Sequence, residues 1–595
     1  MAEAGHRMPF GAQPDGDGRV RFRLWAPAVE SVRLELGGRE QELAMRPAGG
    51  GWHELVTGAE AGERYRFVLP DGTRVADPAS RAQAEDADGP SLVVDPGAYR
   101  WRCTGWQGRP WCQAAIYELH VGTFTPAGTF AGVMERLPHL AGLGVTAVEL
   151  MPVADAIGRH NWGYDGVLPF APDRAYGTPE ELKALVDAAH GLGLMVLLDV
   201  VDNHFGPAGN MLAQYAPGFF TADLATPWGA AIDFRVPVVR EFYLHNALYW
   251  LEEYRFDGLR LDAVHAIHDE SETHFLVELA RRVRSEVPHQ VHLVLENERN
   301  RAALLRADPV LGRRLYEAQW NDDLHHAAHV LLTGERAGYY QDFADAPMER
   351  LRRGLAEGFV YQGEPSRHAG GAARGEPSAD LPPLAFVDFL QNHDQIGNRA
   401  LGERLTALAP AEAVQAFQAL LLLSPHVPLL FMGEEWGART PFLFFCDFAG
   451  ELAEAVRDGR RQEFRAFFAD LAVVPDPLDP ATFARSRLDW GELDQPAHAA
   501  WHARTRELLR LRAEKLAPWL GEGELRVVRS ERLGERGLRM AWRLAGGRAL
   551  GLLANLGPGP LAVPRPAGAV LHETHPGWSD AMPPWSVTWS LDEHG

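Results

Sequence analysis

Phe256-Asp-Gly-Leu-Arg-Leu-Asp-Ala-Val-His265 places an arginine and an aspartate two residues apart in an otherwise apolar run. Side chains alternate faces along a strand, so Gly258, Arg260 and Asp262 share one face while Leu259 and Leu261 share the other. Charge therefore sits where a core belongs. A buried Arg beside an Asp is costly unless the pair does a job, and the guanidinium favours the ionised form of Asp262. An ionised carboxylate at a strand end is a nucleophile in waiting.

Val291-His-Leu-Val-Leu-Glu296 is a second apolar run ending in an acid, and Leu384-Ala-Phe-Val-Asp-Phe-Leu-Gln-Asn-His-Asp394 reads as a third, ending in His393 and Asp394. Met195-Val-Leu-Leu-Asp-Val-Val-Asp-Asn-His204 repeats the arrangement with Asp199, Asn203 and His204. Eight strands are expected, ending near His120, Pro152, Val201, Asp262, Glu296, Asn321, His393 and Glu434. Helical patterns at Pro179 to Gly191, Val239 to Tyr254 and Glu272 to Val287 fall between them. Repeated βα units in that number predict an α/β chain built on a (β/α)8 TIM barrel, whose C-terminal rim carries the chemistry.

Around this core, Arg19-Val-Arg-Phe-Arg-Leu-Trp and Ser31-Val-Arg-Leu-Glu-Leu36 alternate apolar with charged residues, so residues 1–110 are expected to form an N-terminal β-sandwich. The barrel is assigned to residues 111–520, with an excursion over the site at 205–234 and a polar, glycine-rich loop at 357–380. Strand-like pieces return after residue 520 and predict a C-terminal antiparallel β-domain, 521–595.

With 58 basic against 80 acidic residues, the formal charge of -22 argues against nucleic acid and anionic membrane as partners; a neutral substrate fits. Met1 to Phe10 lacks the apolar core of a secretion signal, and the expectation is a cytoplasmic protein. Cys103, Cys112 and Cys446 have no metal-ligand spacing and read as reduced thiols, although Cys103 and Cys112 are close enough in sequence to be neighbours.

Two carboxyls at one cleft, one ionised and one protonated, are what glycosidic cleavage needs. Asp262 is read as the nucleophile and Glu296, with no basic residue flanking it on its strand, as the acid that protonates the leaving oxygen. A retaining enzyme places such a pair about 5 to 5.5 Å apart. Asp394 would brace the sugar hydroxyls, with His204 and His393 as further donors. A single buried Asp near an Arg is often only a structural ion pair, but acids ending three separate strands require three coincidences. Asp199, which precedes its strand end, is read as the structural partner of Arg260.

Asp199-Val-Val-Asp-Asn-His204, Gly258-Leu-Arg-Leu-Asp-Ala-Val-His265, Leu295-Glu-Asn-Glu298 and Gln391-Asn-His-Asp394 resemble, in this order, the four conserved regions of the α-amylase superfamily, glycoside hydrolase family 13. The resemblance implies Asp262 as nucleophile, Glu296 as acid/base and Asp394 as transition-state stabiliser, supported by Arg260, His204 and His393. The N-terminal sandwich resembles the module preceding the barrel in isoamylases and branching enzymes. Tyr117-Glu-Leu-His-Val-Gly-Thr-Phe124 and Asn161-Trp-Gly-Tyr-Asp-Gly166 are shared with branching enzymes; with them, Gly358-Phe-Val-Tyr-Gln-Gly363 and Asn392-His-Asp-Gln395 make the chain most similar to the malto-oligosyltrehalose trehalohydrolases, since branching enzymes typically carry Ser-His-Asp-Glu at the last of these. That implies malto-oligosyltrehalose and related α-glucans as substrates, and a functional link to a malto-oligosyltrehalose synthase. The alternatives are a glucan branching enzyme and a polysaccharide-binding protein without turnover.

Trp162 and Tyr164 could stack on a glucose or only pack, with Tyr164 the favoured platform; Trp228 could line the site or fill its subdomain. His265 fits site and core equally well. Phe359 and Tyr361 shape the pocket for the trehalose end, or belong to a surface loop. Asn203 is a calcium ligand in some relatives, but no cluster of oxygen donors accompanies it, and neither metal nor cofactor is expected.

Overall fold

The computed structural model of the chain describes residues 5–39, 41–226, 229–465, 473–521, 525–566 and 568–592; Trp228 lies outside the described residues. Ile116–Leu119 (β1), Ala147–Leu150 (β2), Met195–Val200 (β3), Gly258–Leu261 (β4), His292–Leu295 (β5), Ala318–Trp320 (β6), Phe386–Asp388 (β7) and Val427–Phe431 (β8) pair in parallel and in chain order. Ile116 returns to Leu429 and closes the barrel. All residues of these strands are buried, which is why they read as apolar runs rather than as alternating patterns.

The surrounding helices include Phe130–Leu143 (α1), Pro179–Gly191 (α2), Pro237–Glu252 (α3), Phe275–Glu286 (α4), Asp322–Thr333 (α5), Pro347–Glu357 (α6), His393–Gly397 (α7), Ala411–Leu423 (α8) and Pro496–Leu511 (α9). Helix α2 has the bounds its pattern predicts, set by a Thr178–Glu181 capping box. Helix α3 starts two residues before the apolar pattern does, because Pro237 occupies its first position, where a missing N–H costs nothing.

The seventh strand departs from expectation. It ends at Asp388, and His393 and Asp394 lie in the first turn of α7. Asn392 caps that helix, its side chain accepting from the N–H groups of Asp394 and Gln395 while the Gln395 side chain accepts from Asn392 N–H. The capping box overrides the strand-like composition of the stretch. Glu434 likewise lies in a 3-10 turn beyond the end of β8.

Two antiparallel sheets precede the barrel. One carries Gly11–Pro14, Arg19–Trp25, Trp52–Gly58 and Arg46–Pro47; the other is built on Arg33–Leu36 and Arg64–Val68. Val20, Phe22 and Leu24 point inward between them, as the alternation requires. Arg81 locks this unit to the barrel by donating to the carbonyls of His6 and Ala12 and to Glu253. After the barrel, Arg526–Leu533, Gly537–Arg543, Ala549–Asn555, Ser586–Asp592 and Val570–Glu573 form an antiparallel sheet that leans on α8 through Trp589, whose indole donates to Ala419 O.

The excursion after β3 folds into a helical turn, Leu212–Tyr215, and a hairpin of Phe220–Thr226 with Gly229–Ile232. The polar loop after α6 is ordered by a short hairpin, Glu364–Pro365 with Ala373–Arg374, and by Asp342, which accepts from Ser366 Oγ at 2.6 Å and Arg367 N–H at 2.7 Å. No described helix is long and apolar enough to cross a membrane.

Candidate active site

Asp262 and Glu296 continue the barrel ladder one residue past their strands. Asp262 N–H donates to Val200 O at 3.0 Å, and Glu296 N–H to Leu261 O at 3.0 Å. The chain then turns through Ala263, which adopts φ 40°, a left-handed conformation that costs a non-glycine residue energy. In that pose Ala263 N–H donates to Glu296 Oε2 at 2.7 Å, so the turn that ends β4 also orients the acid that ends β5.

Arg260 is fully buried and serves three carboxylates. Nη1 donates to Asp262 Oδ1 at 2.7 Å and to Asp199 at 2.7 and 2.9 Å, while Nη2 lies 3.1 Å from Glu296 Oε2 at ion-pair distance without hydrogen-bond alignment. Sequence reading left Glu296 without a basic neighbour; the barrel supplies one from the adjacent strand. Burial nonetheless lifts the Glu296 carboxyl well above the usual glutamate range, because Asp262, Asp394 and Asp322 add to it and outweigh Arg260. Asp262 goes the other way. Burial would raise it, but Arg260, the Asn203 amide and His204 hold it below the usual range. Asp199 is pushed up to about 7 by burial and by Asp262, against Arg260. The two acids are thus pushed in opposite directions, the one toward its charged and the other toward its protonated form, as a nucleophile and a proton donor require.

Glu296 and Asp394 line one cleft, with ≈ 830 Å³ of open space, together with His265, Glu298, Asp322, His326, Tyr339 and Arg374. Asn203 Nδ2 donates to the main-chain O and to Oδ2 of Asp262, both at 3.0 Å, and its own oxygen accepts from His204 Nδ1. His204 Nε2 faces Tyr164 O at 3.0 Å, so both ring nitrogens have protein partners. Among the described residues no group of three or more His, Cys, Asp or Glu side chains could hold a metal ion.

Tyr164 is half-buried, stacks on His393 at 5.1 Å, and donates to Asp199 at 2.6 Å. Trp162 is buried: its indole donates to Leu443 O, it stacks on Phe442, and a Cβ on Gly397 would lie 2.1 Å from its ring. It packs the site wall and offers no platform. Phe359 is likewise a correction. It is fully buried, edge-on to Phe386 beneath the loop, away from the cleft. Tyr361 is buried behind the cleft, with Arg350 and Arg374 over its ring and its hydroxyl donating to Asp342 O. His265 lines the cleft and accepts from Glu298 N–H at 3.4 Å.

Three family models match the chain: Carbohydrate-binding module 48 (Isoamylase N-terminal domain) over residues 9–80, Alpha amylase, catalytic domain over 82–215, and Domain of unknown function (DUF3459) over 526–589. A malto-oligosyltrehalose trehalohydrolase of Deinococcus radiodurans is 44% identical over 85% of this chain and 83% of its own, and one from Arthrobacter ramosus is 41% identical over 93% and 95%. The chain belongs to the malto-oligosyltrehalose trehalohydrolase family. A solved Salmonella typhimurium chain assigned as an alpha amylase is 48% identical, with a TM-score of 0.94 over 98% of this chain and 99% of that one. By contrast, a 1,4-alpha-glucan branching enzyme of Streptomyces avermitilis is 36% identical but matches only 41% of this chain and 45% of its own.

For this member of the trehalohydrolase family, sequence reasoning missed Asp322, Tyr339, His326 and Arg374, which line the cleft. Asp322 carried a usable signal: an acid two residues past the apolar β6, close to the pattern of Asp262 and Glu296, which follow their strands directly. Burial and Asp394 push it up to about 7. Tyr339 and Arg374 carried none, because they reach the cleft from separate loops.

The two pKa directions set an expected pH profile. For a nucleophile at Asp262 and a proton donor at Glu296, kcat/KM should rise below the ordinary aspartate range and fall well above the ordinary glutamate range. Initial rates across pH test this, and an alkaline limb inside the ordinary carboxylate range would contradict it.

Proposed function

We propose that the chain hydrolyses the α-1,4-glucosidic bond next to the terminal trehalose unit of malto-oligosyltrehalose, releasing trehalose, with retention of configuration. The observation that carries the chemistry is the single guanidinium of Arg260 spanning both acids, 2.7 Å from Asp262 and 3.1 Å from Glu296. The substrate follows from the relatives, named malto-oligosyltrehalose trehalohydrolases, that match most of the chain.

In the first step an Asp262 carboxylate oxygen attacks the anomeric carbon while Glu296 gives its proton to the glycosidic oxygen, and trehalose departs. Asp394 braces the hydroxyls of the flattened ring as positive charge grows on it. In the second step Glu296, now a carboxylate, takes a proton from water; the resulting oxygen attacks the same carbon and frees Asp262. The Arg260 contact keeps Asp262 a carboxylate between turnovers. A cytoplasmic setting, in which thiols stay reduced, agrees with Cys103, Cys112 and Cys446 forming no disulfide. A synthase that builds the trehalose terminus on a glucan would supply the substrate.

Chromatography on malto-oligosyltrehalose is expected to show trehalose as the small product, with plain malto-oligosaccharide cleaved far more slowly. Proton NMR of the first turnover should show the freed malto-oligosaccharide in the α-anomer. A β-anomer as first product would replace retention with inversion, and equal rates on both substrates would remove the trehalose specificity. Iodine staining of amylose that reports new branches would favour the branching reading.

A further inference from the structure

Both oxygens of Glu118, on β1 and 1% exposed, are spent on one residue of α7. Oε1 accepts from His393 Nδ1 at 2.5 Å, and Oε2 accepts from His393 main-chain N–H at 3.3 Å, a first-turn N–H that has no partner inside the helix. The other ring nitrogen, Nε2, lies 3.4 Å from Asp394 Oδ2. Tyr164 stacks on the imidazole, and Trp162 meets it edge-on at 5.6 Å. His393 therefore has one orientation open to it, and Glu118 selects it.

We propose that Glu118 is a positioning residue of the hydrolysis: its carboxylate, clamped between β1 and the first turn of α7, fixes the rotation and the protons of His393 and thereby the place where Asp394 meets the sugar. This rests on the reading of Asp394 as the brace on the glycosyl ring. The groups facing His393 are Glu118 and His120 at β1, Glu149 on β2, Arg260 on β4, Tyr164 in the loop after β2, and Asp394 beside it. Burial would drive the imidazole neutral, yet Asp394 and Glu118 outweigh burial and Arg260 and lift it to about 9. It remains a doubly protonated donor at neutral pH.

Glu149 supplies an internal comparison. It sits directly across from Glu118 in the β1–β2 register, is buried, and has neither oxygen hydrogen-bonded. Burial, with Glu118 and Asp199 beside it, raises it well above the usual range, so it is a neutral acid. Neighbouring glutamates in one barrel layer should therefore respond differently to the same substitution.

Glu118→Gln keeps the shape and removes the charge. It is expected to lower kcat/KM on malto-oligosyltrehalose by about 10²-fold, nearly all of it in kcat, the scale of a mispositioned catalytic group. Glu149→Gln, neutral for neutral, should stay within about threefold of the parent. In a His393→Asn background Glu118→Gln should cost nothing further, since its effect passes through the ring. Carbon-13 NMR of histidine Cε1 should show the His393 midpoint moving from about 9 toward the ordinary histidine range in Glu118→Gln. Glu118→Asp retains the charge at shorter reach and should lose about tenfold in kcat with KM unchanged; it carries the test if the amide variant does not fold. Parent-like activity in Glu118→Gln, equal losses in both glutamine variants, or a full further loss in the His393→Asn background would each overturn the proposal. Full activity in His393→Asn would sink the brace reading and this inference with it, whereas activity lost in His393→Asn but kept in Glu118→Gln would sink this inference alone.

Discussion

Asp262→Ala and Glu296→Gln are expected to lower kcat by roughly 10⁴-fold or more while leaving the fold nearly as stable as the parent. The asymmetry comes from how the site is held. Without Asp262, Arg260 keeps its two contacts to Asp199 and its place over the Trp320 ring at 4.1 Å, so no buried cation is left alone. Without its charge, residue 296 still offers an amide oxygen to Ala263 N–H. Thermal unfolding should shift by only a few degrees in either variant, about the effect of 1 kcal/mol or less. The two losses also differ in kind. On a malto-oligosyl fluoride, whose leaving group needs no proton, Glu296→Gln should recover the first half-reaction, seen as a burst of fluoride, and then stall for want of its base, whereas Asp262→Ala should show no burst. Near-parent turnover in either variant, or equal recovery in both, would refute the division of roles.

Arg260→Met is expected to damage both stability and chemistry. The guanidinium is buried among Asp199, Asp262 and Glu296, and its removal leaves acids crowded without a counter-charge. Breaking a buried ion pair from one side costs about 3–5 kcal/mol, moderated here to the extent that the acids take up protons. That same protonation would remove the charge the proposed nucleophile needs. Asp262 loses the main influence that holds it below the usual range, so the acid limb of kcat/KM should move to higher pH and kcat should fall by about 10³-fold. Arg260→Lys should rescue little, since a single ammonium cannot reach Asp199, Asp262 and Glu296 together. Denaturant unfolding and pH–rate profiles test both halves; an unchanged acid limb would mean that Arg260 does not set the charge of Asp262.

How much of this was legible in the chain depended on distance along it. Arg260 and Asp262 lie on one strand face, so their contact follows from a two-residue spacing, and it is present at 2.7 Å. The eight strands were legible because each is buried on both faces and must be apolar throughout. The seventh was read too long, because Asn392 and Gln395 form a capping box that no apolar count reveals. Trp162 could be read as a sugar platform or as packing, and Phe359 as pocket or surface loop; both are buried, which a loop's composition does not report. The clamp of Glu118 on His393 spans 275 residues and has no local trace at all.

What the amino-acid order alone determined is the set of strands, their number, and that the fourth and fifth run into Asp262 and Glu296, because strand burial and alternation are local consequences of side-chain chemistry. Only closure of the barrel decided which charges share a neighbour. It brought Arg260 within 3.1 Å of Glu296, set Asp322 and Asp394 into the same cleft as that acid, and placed Glu118 behind His393. The protonation states of Asp262 and Glu296 are sums over those neighbours in a medium that excludes water. Such a sum exists only once residues remote in the chain have been folded to within a few ångströms of one another.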